Sequence, residues 1–124
     1  GTQLKDTVQR LYEAGALEVH MRPACPPLVH GCKFLNFSRS KSEMDLAARR
    51  AIKELEGDAS AHLDEYADPD SERHAAMVER IGLRLGLTTL KYQRLDDLVE
   101  ATTLPKSKLC TYCWDACEGG CKRD

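Results

Sequence analysis

Long apolar runs are missing from this sequence. No stretch of its 124 residues approaches the roughly 18 to 20 consecutive apolar positions that a bilayer-spanning helix needs, and no charged-then-apolar leader opens it. The expectation is a soluble, cytoplasmic chain with no membrane partner. Charge of one sign is missing too. The 18 basic residues are interleaved with 20 acidic ones, for a net charge of −2 and a pI near 6.1, so no cationic stripe offers itself to a phosphate backbone. The single tryptophan, Trp114, has basic company only at Lys106, Lys108, Lys122 and Arg123, too little for a base-stacking platform. No nucleic-acid partner is expected. There is no internal repeat, and 42% hydrophobic residues in 13.9 kDa furnish one modest core.

Cysteine, by contrast, is concentrated. Four of the six cysteines fall in Cys110-Thr-Tyr-Cys113-Trp-Asp-Ala-Cys117-Glu-Gly-Gly-Cys121, directly after the helix-stopping Leu104-Pro105. A C-x2-C step places two thiolates within reach of one metal centre, because the intervening pair can turn tightly and leave amides pointing at the sulfurs. The leading reading of the tail is a soft-metal site, iron–sulfur or zinc, on Cys110 and Cys113. A disulfide framework is the rival in a short cysteine-rich chain. Amphipathic helices and abundant charge argue instead for folding through an ordinary core, with reduced thiols. A self-contained C-x2-C-x3-C-x3-C zinc site in an interaction or regulatory module is the alternative function. Cys25, just before Pro26-Pro27, reads as a buried apolar residue. His30, two residues from Cys32, is a candidate for the fourth position of a zinc site, although a lone histidine reads first as a hydrogen-bonded loop residue. Trp114 is expected to pack over the sulfurs.

Helical spacing of Leu4, Val8, Leu11 and Tyr12 predicts a first helix ended by Gly15. Alternation of Leu17, Val19 and Met21 with Glu18, His20 and Arg22 predicts a strand with one buried face. Prolines break it, and Leu28 to Phe37 is irregular. Ser40 and Glu43 have capping-box spacing. The helix they open shows Met44, Ala47, Ala48, Ala51, Ile52 and Leu55 on one face and closes at Gly57. Residues 56–75 are acidic and interrupted by Asp68-Pro69-Asp70. They read as a surface excursion with too few apolar residues to anchor it, holding a short helix near Ala61 to Tyr66, with His62 and His74 facing solvent. Ser71 caps a further helix with the buried stripe Ala75, Val78, Ile81 and Leu85, finishing at Gly86. Thr88 to Tyr92 is a strand candidate. Leu95, Leu98 and Val99 mark a last helix, on which Asp96-Asp97 reads as a solvated face. Helix followed by strand is a half-step of α/β winding.

In chain order, the motifs are Gly1-Thr2, Leu11 to Val19 (LYEAGALEV), Pro26-Pro27-Leu-Val-His-Gly-Cys32, Glu43-Met-Asp-Leu-Ala47, Leu95 to Ala101 (LDDLVEA), and Leu104-Pro105-Lys-Ser-Lys-Leu-Cys110-Thr-Tyr-Cys113. Together they resemble the C-terminal part of the amidophosphoribosyltransferase family, the glutamine-dependent enzymes that open purine synthesis. The diproline-to-cysteine element and the C-x2-C terminus carry most of that likeness; singly each motif is weak.

The resemblance implies an α/β fold, the C-terminal part of a type I phosphoribosyltransferase-like domain over residues 1–104, with an acidic excursion at 56–75 and a metal-binding tail at 105–124. It implies that Cys32, Cys110 and Cys113 are three ligands of a [4Fe–4S] cluster of structural rather than redox role. The family's fourth ligand lies upstream of the stretch matched here, and Cys117 or Cys121 is a candidate replacement. Gly1 and Thr2 resemble the end of the loop that binds phosphoribosyl pyrophosphate. Residue 1 is glycine where the family glutaminase uses an N-terminal cysteine, and no pair of aspartates follows a strand as the phosphoribosyl site requires. The segment is expected to be catalytically inert by itself, to partner the remainder of a homo-oligomeric parent chain, and to meet phosphoribosyl pyrophosphate only in the complete enzyme.

Overall fold

A computed structural model describes residues 2–32 and 46–117. Six α-helices and a pair of two-residue strands occur among them: α1 (Thr2–Glu13), β1 (His20–Met21), α2 (Ala47–Glu56), α3 (Leu63–Ala67), α4 (Glu72–Leu85), β2 (Thr89–Leu90), α5 (Leu95–Thr102) and α6 (Tyr112–Asp115), with a 3-10 turn at Lys106–Lys108 before α6. The described part is mostly helical, with a small parallel sheet.

β1 and β2 pair in parallel, His20 against Thr89 and Met21 against Leu90. A parallel pair needs a crossover, and here the long connection between the strands carries α2, α3 and α4. The ladder is extended at its ends by Thr88 N–H donating to the Val19 carbonyl at 2.8 Å and Lys91 N–H to the Met21 carbonyl at 3.2 Å. The strand expected from Leu17 is shorter than its pattern. Leu17 is 94% exposed, because alternation marks a face and, among the described residues, only His20 and Met21 find a partner strand.

The core lies between α2 and α4. Ala48, Ala51 and Ile52 from α2 meet Met77, Ile81 and Leu85 from α4, and Val29 and Tyr66 close the cluster from either side. Burying each of these larger side chains contributes about 1.5–3 kcal/mol. The stripe on α4 differs from expectation at one end, since Met77 is buried while Ala75 is exposed. Ser71 caps α4 as its sequence suggests, its hydroxyl accepting from His74 N–H at 3.0 Å. Gly86 then ends that helix in the left-handed region, at φ 75°. The Ser40–Glu43 capping box lies outside the described residues; within them α2 begins after Leu46, which makes no side-chain cap. The Tyr12 hydroxyl donates to the Gly86 carbonyl at 2.8 Å and so ties α1 to the end of α4.

The acidic excursion is anchored after all. Tyr66 is fully buried in the core, and its hydroxyl donates to Glu56 at 2.6 Å. Arg73 joins Glu56 and Glu65 in an ion pair across α2, α3 and α4. His74 does not face solvent: it is half-buried, with Nδ1 2.7 Å from the Tyr66 carbonyl oxygen. One aromatic ring supplies what the count of apolar residues did not. Asp96 and Asp97 are exposed in the first turn of α5, where negative charge suits a helix N-terminus.

Candidate metal centre

The diproline segment is held from two sides. On one, the amides of Val29 and His30 both donate to the carbonyl of Cys113, at 2.8 and 3.0 Å. On the other, Arg49 of α2 donates from Nε to the Val29 carbonyl at 2.6 Å, and its Nη1 reaches the Ala59 carbonyl and Ser60 Oγ, each at 3.3 Å. Nη2 lies 3.4 Å from His30 Nδ1. A guanidinium only 5% exposed is costly to bury unless its donors are met, and here they meet main-chain oxygens. The His30 ring also packs, tilted, on Tyr112 at a centroid distance of 5.3 Å. The clamp sets the loop carrying Cys25 and Cys32 directly against the tail.

The tail is organised by Asp115. One carboxylate oxygen accepts from Thr111 Oγ1 at 2.7 Å and from Cys117 N–H at 3.0 Å; the other takes Lys106 Nζ at 2.6 Å. Thr111 is buried, and its amide donates to the Cys117 carbonyl at 2.9 Å. Burial pushes the Asp115 carboxyl up, but the bonds from Lys106, Thr111 and the Cys117 amide outweigh it and hold the group below its usual range. Cys110 and Cys113 therefore sit on a turn fixed at both ends.

Cys25, Cys32, Cys110 and Cys113 stand outside any disulfide; Cys25 and Cys110 are exposed, Cys32 and Cys113 half-buried. Burial pushes the Cys113 thiol up to about 11, and Cys32, Cys110 and Cys25 each add to the rise. The main-chain bonds to the Cys113 carbonyl place the backbone of the diproline loop against the tail. Among the described residues no three His, Cys, Asp or Glu side chains converge closely enough, as they stand, to hold a metal ion. The four cysteines of loop and tail that stand outside disulfides carry sulfur, the donor type that soft cations take.

Other expected residues fall differently. Cys25 is exposed where burial was expected, because the prolines after it carry the inward packing: Pro27 is buried and Cys25 is not. Cys117 is disulfide-bonded rather than reduced, so in this arrangement it offers no thiolate. Cys121 and Gly1 lie outside the described residues, and Thr2 opens α1. Trp114 lines a small cavity with Pro26, Pro27, Val29, Tyr66 and His74, which no cysteine borders. Its buried N–H has no partner among the described residues. Arg49 and Asp115, which position the site, were not singled out from sequence. The available signal for Arg49 was its place between Ala48 and Ile52 in α2, whose buried face also takes Ala51.

An amidophosphoribosyltransferase of Mycobacterium bovis is 31% identical over 116 residues, which is 93% of this chain and 18% of that protein. The chain is related to the amidophosphoribosyltransferases. One from the archaeon Methanothermobacter thermautotrophicus is 27% identical over 93% of the chain and 19% of its own length, and the chloroplastic amidophosphoribosyltransferase of Glycine max is 42% identical over 55 residues, or 44% of the chain. The match falls in the C-terminal 18% of the bacterial protein. The chain thus spans less than a fifth of the length of these amidophosphoribosyltransferases. A match over 93% of the chain includes both the diproline loop and the Cys110–Cys113 pair, whichever terminus is left out. No family model and no solved structure matches the chain. Among the described residues no helix is long and apolar enough to cross a membrane.

Proposed function

We propose that this chain is the C-terminal portion of an amidophosphoribosyltransferase of the iron–sulfur branch, inert by itself, in which Cys32, Cys110 and Cys113 supply thiolates to a structural [4Fe–4S] cluster. The complete parent would transfer the amide nitrogen of glutamine to phosphoribosyl pyrophosphate, releasing pyrophosphate and glutamate in the cytoplasm. Residues 1–104 would be part of a phosphoribosyltransferase-like α/β domain, and 105–124 its metal-binding tail. The observation that carries the reading is the clamp of Val29 and His30 on the Cys113 carbonyl, which holds the diproline loop against the cysteine tail. The two-stranded parallel sheet and the exposed Leu17 beside it suit a segment whose remaining strands come from the rest of the parent chain.

When bound, the cluster would act as a covalent clip between loop and tail. Joining the stretches around Cys32 and Cys110 closes a loop whose entropy cost is on the order of 4 kcal/mol. Structural metal binding by thiolates, at about 10–16 kcal/mol for zinc, exceeds that cost, whereas a few exposed main-chain bonds at about 1 kcal/mol each do not. The chain's own residues prepare the clip. Arg49 fixes the loop, Asp115 fixes the turn, and the Cys113 carbonyl joins the two.

The test is iron and acid-labile sulfide per chain after anaerobic purification, in the wild type and in a Cys110→Ser, Cys113→Ser double variant. Equal iron and sulfide, lost in the variant, is the expected result. A colourless wild type holding one zinc would move the assignment to the zinc module. A wild type without metal would remove the site.

A further inference from the structure

We infer that residues 106–117 form a strap that opens as one unit, with the indole of Trp114 as its catch and the acidic excursion as its seat, and that this opening gates the Cys113 thiol. The inference goes beyond the metal-site reading and needs no metal. Ala67 and Pro69 of the excursion, with Leu95 of α5, line both the small cavity bordered by Trp114 and the open cleft bordered by Lys106 and Asp115. The excursion therefore meets the tail at two places. The run Ala101 to Pro105 that leads into the tail is exposed throughout and holds Thr103 at φ 62°, so little packing there resists a hinge.

Three features make the strap separable from the core. The bonds that shape it close within it: Asp115 takes Lys106, Thr111 and the Cys117 amide, and the Thr111 amide donates to the Cys117 carbonyl. Helix α6 contains no buried residue, whereas α4 buries Met77 and Ile81. The Trp114 N–H is buried with no partner among the described residues, a cost of the closed state that contact with water in the open state removes. Burial of the apolar ring is what favours closure. Opening would take the Cys113 carbonyl away from the Val29 and His30 amides, while Arg49 still holds the Val29 carbonyl. It would also expose the half-buried Cys113 thiol, whereas Cys110 is exposed already. One motion thus links two main-chain amides, an indole and a thiol.

Native-state amide exchange of the full 124-residue chain, with chelator present and over a series of low urea concentrations, tests this alongside alkylation by iodoacetamide. The Val29 and His30 amides should exchange, and the Cys113 thiol react, through one shared opening that is more frequent than the unfolding seen at Ile52 and Met77. Ala67→Glu, which puts a charge into the seat, and Trp114→Ala, which removes the catch, should each raise that opening at least about tenfold. Cys110 should react at its wild-type rate in both. Trp114→Phe, which keeps a ring and removes the unpartnered N–H, should open less than Trp114→Ala. Exchange of Val29 and His30 together with Ile52 and Met77 in a single global step would overturn the strap. So would a Cys113 thiol that reacts in step with Cys110 and ignores Ala67→Glu. If a variant loses protection in the core as well, the wild-type urea series decides alone.

Discussion

The carbonyl oxygen of Cys113 accepts a 2.8 Å hydrogen bond from the amide of Val29, and through it the diproline loop and the cysteine tail become one structural unit. The neighbouring His30 amide shares that acceptor, and Arg49 takes the Val29 carbonyl from the other side. Loop position, and with it thiol position, depends on very few groups.

Metal removal should therefore loosen the loop and the tail together. Amide exchange at Val29 and His30, and tryptic cleavage after Lys106 and Lys108, should each accelerate at least about tenfold on chelation, the change that ~1.4 kcal/mol of lost protection produces. Exchange at Ile52 and Met77 in the α2–α4 core should change far less. Unchanged tryptic cleavage after metal loss would remove the structural role given to the cluster.

Arg49 is the next point of leverage. Arg49→Met keeps the apolar stem but strands the buried Val29 carbonyl, at about 1–3 kcal/mol, and the part-buried Ala59 carbonyl as well. Urea denaturation should show a loss of about 2–4 kcal/mol in total. Arg49→Lys should recover little of it, since an ammonium cannot span Val29, Ala59 and Ser60 from one planar group.

Asp115 gives the tail an acid limit. Its folded carboxyl is held below the ordinary value of 3.8, so its contribution is present in full above the unfolded pKa and is lost as the pH falls through the folded one. The Thr111 amide should stay protected from exchange at pH 5 to 7, roughly the range of ordinary maximal stability, and lose protection only at pH values under 3.8. Asp115→Asn should abolish that pH dependence and lower tail protection by about 1.5–3 kcal/mol, the range for hydrogen bonds to a charged group.

Ala116 ends α6 at φ 66°, a left-handed conformation that costs a residue with a Cβ about 1–2 kcal/mol. Ala116→Gly should relieve that strain and, after glycine's greater chain entropy, stabilise the tail by about 0.5–1 kcal/mol. Thermal unfolding followed by the fluorescence of Trp114 checks this directly.

Local signals were legible in the sequence where one segment decided its own structure. Ser71 caps α4 and Gly86 ends it because a hydroxyl and a missing Cβ act within a few residues. The family likeness was read from the order of motifs along the chain, not from any local signal. Where partners are distant, the pattern fell short. Leu17 alternates with its neighbours but has no strand beside it among the described residues, and residues 56–75 gain their anchor from a single ring, Tyr66, inserted between α2 and α4. Arg49 is a surface residue by type and a buried clamp by position, and only the fold puts the Val29 carbonyl within its reach.

The convergence of loop and tail is tested most directly by the metal content of Cys32→Ser, a single change remote in sequence from the C-x2-C pair. Anaerobically reconstituted wild type should carry about four irons and four sulfides per chain, and Cys32→Ser should be as empty as Cys113→Ser. A Cys32→Ser chain that keeps the full complement would mean that the tail holds its metal without the diproline loop, contradicting a shared centre.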